Sequence, residues 1–369
     1  MRHALIATLV GVAALTAATD ARADEARRHE PGAVYTMTNA ASGNEILVFD
    51  RAADGRLTAA GRVGTGGQGT GAGLGNQSGV VLSRNERWLL AVNAGSNSVA
   101  LLEVRENGLR LADVAPSGGV TPISVTEHRG LVYVVHSGSS SISGFAIRRG
   151  RLQALPGSQR GLSGTGVGPA QIAFTPSGDH LVVTEKATNQ IAVFEVDRDG
   201  LPGAVQVQPA SGVTPFGFAF GRRDVMVVTE AFGGAANGSA ASSYRVEDDG
   251  ALTTVSGSVP TGQTAACWAA VTPDGRYAYV TNAGSGSISG YRVGFDGTLT
   301  RFADGGRTGV TGTGSTPLDM VITDNGRMLY VLTGGSHTIT PFRIESNGAL
   351  TAQPGGVTVP TGVNGLAIR

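Results

Sequence analysis

The sequence contains few charged residues, few aromatic residues and a single cysteine, and each shortage excludes a class of protein. Charged residues make up 15% of the 369 residues, aromatic residues make up 5%, and the formal net charge is zero. A nucleic-acid-binding protein needs a basic stripe that neutralises phosphates, so no nucleic-acid partner is expected. The single cysteine, Cys267, excludes an internal disulfide framework. Lysine is equally scarce, because Lys186 is the only one in the chain.

A long apolar run occurs only near the N-terminus. Arg2 precedes an apolar run over residues 4–18, and Ala21-Arg22-Ala23 has the small-x-small pattern of a signal-peptide cleavage site. The run is shorter than the roughly 20 residues that a membrane span requires. We therefore predict a signal peptide over residues 1–23, a polar leader over 24–32, no membrane span, and an exported protein that is periplasmic or secreted.

Glycine is abundant, with 57 residues, and the rest of the chain is organised as a repeat. Seven apolar stretches end in a polar residue at intervals of roughly fifty residues, without a helical pattern between them. Such a strand-rich repeat predicts an all-β fold, namely a seven-bladed β-propeller of four-stranded antiparallel blades. The seven polar residues, called the ring positions below, are Asn39, Asn93, His136, Glu185, Glu230, Asn282 and Thr333.

A second repeated feature is a two-residue turn ending in glycine, followed closely by leucine. Asp-Gly and Asn-Gly pairs between alternating runs are the favoured β-hairpin turns, and six of them together with one Arg-Gly pair, at matched offsets, support seven blades. The first blade has only three strands of its own, beginning at Val34. The C-terminal stretch Gly365 to Ile368 resembles a first strand, so it should pair with that blade and close a single domain over residues 33–369. The turns are Asp54-Gly55, Asn107-Gly108, Arg149-Gly150, Asp199-Gly200, Asp249-Gly250, Asp296-Gly297 and Asn347-Gly348.

The repeat predicts where chemistry could occur. In an antiparallel blade the first strand starts beside the end of the second, so all ring positions should surround one mouth of the central channel. His136, Glu185 and Glu230 lie in three consecutive blades and are candidate catalytic residues, since carboxyl and imidazole groups perform acid–base chemistry. The alternative is that the glutamates bind nearby backbone amides or pair with a nearby arginine, and that His136 is structural. Candidate substrate-binding residues at this mouth are Gln171, Asn39, Asn93, Asn282, Asp319 and Trp268, although capping and core packing could explain them equally well.

Other reactive groups are interpreted structurally. Lys186 is expected to form a salt bridge on the opposite side of its strand, and Cys267 is expected to pack in an inner strand. The stretch Gly64 to Gly75 imitates a dinucleotide-binding fingerprint, but it lacks the strand-then-helix context and is interpreted as a flexible loop between blades. The loop over residues 231–239 is longer than its counterparts and could act as a lid. No zinc or calcium motif is present, so no metal or cofactor is predicted.

These residues resemble the seven-bladed lactonase family, which includes propeller-type 6-phosphogluconolactonases and fungal carboxymuconate-lactonizing enzymes. The resemblance covers the chain from about residue 33 and is carried by Tyr279-Val280-Thr281-Asn282, by Thr272-Pro273-Asp274-Gly275-Arg276, and by Gly168-Pro169-Ala170-Gln171 with Thr184-Glu185. It implies that Glu185 occupies the acidic active-site position of the family. Ala170 and Gln171 replace the family's arginine and histidine, so an anionic lactone would lose its bidentate partner.

Two functions follow from this pattern. In the first, the protein opens or closes a small neutral lactone, or a sugar derivative, with Glu185 as base, His136 or Glu230 as acid, and Gln171 or an asparagine polarising the carbonyl. In the second, it is a non-catalytic exported scaffold for a ligand or another protein. Either function is compatible with a monomer, which is the expected oligomeric state.

Overall fold

The computed structural model describes residues 32–302 and 304–369, which form seven antiparallel sheets and almost no helix. The prediction of an all-β, seven-bladed propeller is therefore confirmed. The predicted signal peptide and nearly all of the polar leader lie outside the described residues. None of the helices in the described ranges is long and apolar enough to cross a membrane. These helices are single 3-10 turns at Arg222–Asp224, Phe232–Gly234 and Asp304–Gly306.

Each blade has four main strands, and three blades carry an additional short strand at their outer edge. Blade 1 contains β1 (Gly32–Met37), β2 (Glu45–Arg51), β3 (Leu57–Gly64) and the C-terminal β31 (Asn364–Ile368). Blade 2 contains β4 (Val80–Leu82), β5 (Trp88–Asn93), β6 (Ser98–Arg105) and β7 (Gly108–Pro116). Blade 3 contains β8 (Pro122–His128), β9 (Leu131–His136), β10 (Ser141–Arg148), β11 (Arg151–Ala154) and the short β12 (Arg160–Gly161). Blade 4 contains β13 (Pro169–Phe174), β14 (His180–Glu185), β15 (Gln190–Glu195) and β16 (Gln206–Pro209).

The remaining blades repeat this order. Blade 5 contains β17 (Pro215–Phe220), β18 (Val225–Glu230), β19 (Ala240–Val246) and β20 (Leu252–Pro260). Blade 6 contains β21 (Ala266–Val271), β22 (Tyr277–Asn282), β23 (Ser287–Val293), β24 (Leu299–Arg301) and the short β25 (Gly309–Val310). Blade 7 contains β26 (Pro317–Ile322), β27 (Met328–Thr333), β28 (Thr338–Ile344), β29 (Leu350–Ala352) and the short β30 (Val357–Thr358).

The second strands form the buried centre of the blades. All six residues of β5, β14 and β18 are buried, because both faces of these strands pack against neighbouring blades. Their sequences are correspondingly almost continuous apolar runs rather than alternating ones. The polar residue that ends each run is therefore also placed in a buried environment.

Buried tyrosines connect neighbouring blades through the repeated turns. The hydroxyl of Tyr279 donates a hydrogen bond to the carbonyl oxygen of Gly348, at 2.8 Å, and Tyr330 does the same to Gly55 at 2.8 Å. Each acceptor is the glycine of a predicted turn in the next blade around the ring. The phenolic hydroxyl thus satisfies its hydrogen bond inside an apolar interface, which would otherwise be costly.

The C-terminal strand closes the ring, as predicted. Strand β31 pairs antiparallel with β1, with Val34 opposite Ile368 and Tyr35 opposite Ala367. The hydroxyl of Thr36 adds a 2.6 Å hydrogen bond to the carbonyl oxygen of Gly365. The first blade thereby obtains its innermost strand from the other end of the chain, and β1 is paired on both sides.

The centre of the ring is crossed by residues 76–78, called the axial segment below, which precede the first strand of blade 2. The Gln77 side chain donates to the carbonyl oxygen of Ala269, at 2.8 Å, and accepts from the amide of the same residue, at 3.2 Å. The side chain of Asn364 donates to Asn76 at 2.9 Å. A segment of blade 2 is thus bound to blade 6 and to the closing strand.

Asp319 is buried at the same junction. Its carboxylate accepts hydrogen bonds from the backbone amides of Met320, Ser78 and Leu366, which belong to blade 7, the axial segment and the closing strand. Burial is the largest influence and raises the pKa of Asp319 to about 7, against the opposing effect of the three amides. This residue, predicted from sequence to contact substrate, binds three parts of the protein itself.

Replacing Gly365 with alanine should weaken ring closure. Gly365 has a φ of 72°, and an added Cβ would lie 2.6 Å from the backbone nitrogen of Val80. A left-handed conformation costs an L-residue about 1–2 kcal/mol, and the close contact increases that cost. We expect the free energy of unfolding, measured in urea, to fall by about 2 kcal/mol or more. Gly73→Ala is the control, because its Cβ would meet nothing within 4 Å. Equal unfolding midpoints for the two variants would contradict this role.

Asp319 should make stability decrease as the pH rises. Its folded-state pKa lies above its unfolded value, so its contribution to stability is fully present below about pH 4 and is lost as the pH rises from about 4 to 7. This difference corresponds to a loss on the order of 4 kcal/mol. In Asp319→Asn, urea unfolding across this range should show a flatter pH dependence than in the wild type. Parallel curves for the two proteins would show that Asp319 does not titrate there.

Candidate functional site

The ring positions lie at one face of the propeller, called the upper face below, where second strands end and first strands begin. The pairing register places each ring position of blades 3 to 7 beside the first residue of the innermost strand, which is the predicted arrangement. The pairs are Pro122 with His136, Pro169 with Glu185, Pro215 with Glu230, Ala266 with Asn282, and Pro317 with Thr333.

A repeated backbone contact fixes this face. The residue before the first strand adopts a positive φ in blades 3 to 7, and its carbonyl oxygen accepts a hydrogen bond from the amide that follows the ring position. In blade 4 the Lys186 amide donates to Gly168 at 3.0 Å, and in blade 5 the Ala231 amide donates to Thr214 at 3.0 Å. The position after each ring residue is therefore held next to the channel mouth.

Glu185 is completely buried and is bound by residues of two loops. One carboxylate oxygen accepts a 3.0 Å hydrogen bond from the Ser163 amide, and the other accepts from the hydroxyls of Ser163 and of Thr188, the latter at 2.8 Å. Ser163 and Thr188 are themselves exposed. The carboxylate thus reaches solvent through two surface hydroxyls.

Glu230 is equally buried and lies within its own blade. It accepts hydrogen bonds from the hydroxyl of Ser242, at 2.5 Å, from the hydroxyl of Ser258, at 2.7 Å, and from the amide of Gly212. Burial raises the pKa of Glu230, and the three hydrogen bonds oppose that effect. Its partners belong to the two outer strands and to the loop that enters the blade.

His136 lies between two backbone carbonyls. Its Nδ1 is 3.1 Å from the carbonyl oxygen of Ser141, and its Nε2 is 3.1 Å from that of Ser117. Burial lowers the pKa of His136, while the two carbonyls act in the opposite direction. Within the described ranges, His136, Glu185 and Glu230 form no hydrogen bond or ion pair with one another. The three candidate acid–base residues are therefore not brought together in one constellation.

The asparagine ring positions bind adjacent loops or the third strand of their own blade. Asn39 donates to the carbonyl oxygen of Ala72, at 2.7 Å, and accepts from the amide of Thr70 at 3.0 Å. These contacts attach the glycine-rich stretch, interpreted from sequence as flexible, to blade 1. Asn93 accepts a 2.7 Å hydrogen bond from the hydroxyl of Thr65, and Asn282 donates to Ser287 and Ser289.

Gln171 and Trp268 also make contacts within the protein. Gln171 accepts a 2.7 Å hydrogen bond from the amide of Phe218 and donates to the hydroxyl of Ser78 at 3.3 Å. The Trp268 indole donates to the carbonyl oxygen of Asn76 at 2.7 Å. The two residues bind the axial segment from opposite sides, so their polar groups have protein partners at the channel mouth.

Lys186 is the residue for which the sequence prediction was wrong. The described residues include no carboxylate within salt-bridge distance of it, and its Nζ donates to the carbonyl oxygen of Gly75. The Nζ also lies 4.6 Å from the centre of the Phe216 ring. Burial among these groups lowers the pKa of Lys186 to about 8, although part of its surface remains exposed. The side chain thus lies across the mouth, between blades 2 and 5.

Cys267 lies beside this lysine, and its thiol is expected to be unreactive. It is buried, and burial raises the pKa of its thiol to about 12, so the nucleophilic thiolate is not formed near neutral pH. Its packing in β21 agrees with the structural interpretation made from sequence. No group of three or more histidine, cysteine, aspartate or glutamate residues in the described ranges could hold a metal ion.

Clefts of about 320 to 960 Å³ open on the opposite, lower face, where the interstrand turns lie. One, of about 570 Å³, lies between the turns of blades 6 and 7 and is lined by Arg222, Asp274 and Arg327. Another, of about 360 Å³, surrounds His128 and Phe174 at the lower end of the channel. The axial segment crosses the upper mouth near Lys186, whose Nζ donates to the carbonyl oxygen of Gly75.

Comparison with solved structures reveals propellers of the same size. A protein from Bacteroides fragilis, provisionally described as a 6-phosphogluconolactonase, has 19% sequence identity and a TM-score of 0.73, over 92% of this chain and 98% of that one. A periplasmic gluconolactonase from Pseudomonas aeruginosa has 16% identity and a TM-score of 0.74, over 92% of this chain and 99% of that one. At these identities the likeness demonstrates the fold alone. No curated protein matches the sequence.

The sequence itself matches a family model throughout the propeller. The model for the seven-bladed β-propeller lactonases matches residues 32–156, 150–268 and 260–365, in three overlapping segments. Together with the closed ring of seven sheets, this match shows that the chain belongs to the family of seven-bladed β-propeller lactonases.

Proposed function

We propose that this protein is an exported enzyme that hydrolyses a small neutral lactone at the upper mouth of the propeller. The observation that supports this function most strongly is the family match over residues 32–365. The absence of the family's arginine, whose position is taken by Ala170, favours a substrate without a phosphate group. The periplasmic location of the Pseudomonas gluconolactonase, together with the predicted signal peptide, is consistent with export.

Lactone opening needs a base for the attacking water and a proton for the leaving ring oxygen. We assign the base to Glu185, which accepts hydrogen bonds from two exposed hydroxyls. A water held by Thr188 could pass its proton through that hydroxyl to the buried carboxylate, since the distance between them is 2.8 Å. The ring C–O bond then breaks, the ring oxygen takes up a proton, and the product is a hydroxy acid.

Glu230 and His136 are the candidate proton donors. Glu230 has a raised pKa and would carry a proton at a higher pH than an ordinary glutamate. His136 lies in the preceding blade, with both ring nitrogens facing carbonyl oxygens. Among the described residues, neither side chain hydrogen-bonds to Ser163 or Thr188, so in this arrangement the proton would reach the ring oxygen from solvent or through the mouth.

The second candidate function is a non-catalytic scaffold. It is favoured by one specific observation, namely that all seven ring positions have hydrogen-bond partners within the protein, including both glutamates. A ring whose residues all hydrogen-bond to other parts of the protein can be purely structural, because such groups stabilise loops without touching a ligand, although the Asn282 Oδ1 is buried without a partner. The large lower-face clefts would then be the better places to look for a partner.

Substitution of Glu185 distinguishes these functions. Glu185→Gln keeps the volume and several hydrogen bonds but removes the basic carboxylate, so we expect hydrolysis of the active lactone to fall by about 10²- to 10⁴-fold. The measurement is the rate of acid release from a panel of five- and six-membered neutral lactones, with the melting temperature recorded for each protein.

Thr333→Val is the matched control for this experiment. Thr333 is a buried ring position in blade 7 whose hydroxyl bonds to Thr338 and Ser336. Its loss perturbs the ring without touching Glu185, so the control should retain activity. A wild-type protein that opens no lactone would favour the scaffold. An active Glu185→Gln protein would show that the base is another residue.

A further inference from the structure

The position directly after each ring residue is small in six blades and large in one. This position lies next to the channel mouth, where the repeated amide-to-carbonyl contact holds it in blades 3 to 7. The seven blades repeat one structure, so the fold places the same demand on this position in each of them. A residue that differs in one blade alone therefore indicates a role specific to that blade. The seven residues are Ala40, Ala94, Ser137, Lys186, Ala231, Ala283 and Gly334.

The departure places the only lysine of the chain across the mouth. From the end of β14 its side chain reaches the carbonyl oxygen of Gly75, just before the axial segment, and the face of Phe216 at the start of β17. Phe216 packs in turn against Trp268, with 5.2 Å between the ring centres. The ammonium group therefore lies above an aromatic floor formed by blades 5 and 6.

This cation lacks a counter-charge among the described residues. Glu185, its neighbour in sequence, uses its carboxylate for Ser163 and Thr188. The titratable group that lies against Lys186 from blade 6 is the neutral Cys267 thiol. Apolar surroundings disfavour an unpaired ammonium, and accordingly the pKa of Lys186 is lowered to about 8. An anionic ligand at this point would supply the missing charge. Its attraction to the ammonium group would be stronger than in water, because the surroundings have a low polarity.

We propose that Lys186 binds the carboxylate of a small hydroxy acid at the upper mouth of the propeller. This inference depends on the proposed function only for the kind of acid, because opening any lactone produces a hydroxy carboxylate. The lactone itself is neutral and gains the interaction only as negative charge develops on its carbonyl oxygen. Lys186 is thus assigned to binding the carboxylate of the product and the negative charge that develops on the lactone carbonyl oxygen during ring opening.

A single isotope label can test this assignment, because the chain has only one lysine. Reductive methylation with ¹³C-formaldehyde labels Lys186 and the α-amino group, and the Lys186 resonance is identified by its loss in Lys186→Ala. That variant should fold, since alanine occupies the same position in four other blades. We expect the Lys186 resonance to titrate near pH 8, well below the roughly 10.4 of a free lysine.

Gluconate is the probe, and sorbitol is its uncharged counterpart with the same carbon number. At constant ionic strength, gluconate should shift the Lys186 resonance saturably and move its titration to higher pH, whereas sorbitol should do neither. The affinity for gluconate, measured by calorimetry, should fall about 10- to 100-fold in Lys186→Ala. Arg198→Ala, which removes an exposed cation of the lower-face turn of blade 4, should bind gluconate as the wild type does.

The outcomes separate this inference from the proposed function. Equal gluconate affinities in Lys186→Ala and the wild type, or a resonance that responds to sorbitol as it does to gluconate, would overturn the role of Lys186 even if lactones are hydrolysed. A gluconate-specific shift in a protein that opens no lactone would support the binding site and exclude the enzyme.

Discussion

The pairing of the last strand with the first blade is the constraint on which the rest of the structure depends. Without a strand from the C-terminus, β1 would be unpaired on the side that faces the axis. Strand β31 pairs with β1 on that side. Asp319 reinforces the junction, because its carboxyl group accepts hydrogen bonds from backbone amides of the closing strand and of the axial segment. A buried carboxyl group is an expensive way to hold three chain segments together. The hydrogen bonds of this carboxyl group join the two ends of the chain at the cost of burying a polar group.

The backbone of this fold was predictable because its signals repeat. A turn such as Asp296-Gly297 is weak alone, but seven copies at one spacing determine blade number, strand order and the faces on which strands end. The tyrosine contacts, such as that of Tyr279 with Gly348, explain why these turns do more than reverse the chain: they also provide acceptors for the next blade. Repetition averages over local ambiguity, so the architecture could be derived without any alignment.

The surroundings of the ring residues could not be predicted in the same way. Partners such as Ser163 and Thr188 come from loops that do not share a pattern between blades, and the repeat gives no information about side-chain direction there. Lys186 illustrates the same limit, since surface ion pairing is the commonest fate of an isolated lysine, yet this one turns towards the axis. A usable signal was nevertheless present in the sequence: comparison of blade with blade at the position after the ring residue singles out Lys186 without any coordinates.

Glu185, the last residue of β14, and Lys186, which follows it, differ in how completely their charged groups are bound by the protein. The carboxylate of Glu185 is fully engaged with protein donors, whereas the ammonium of Lys186 has only a carbonyl and an aromatic face as partners. Hydrogen bonds from Ser163 and Thr188 hold the Glu185 carboxylate in place against the loops. A cation held in apolar surroundings has the opposite property, because its stabilisation is incomplete until an anion arrives. The proposed chemistry therefore assigns the ligand carboxylate to Lys186 and the proton of the attacking water to Glu185.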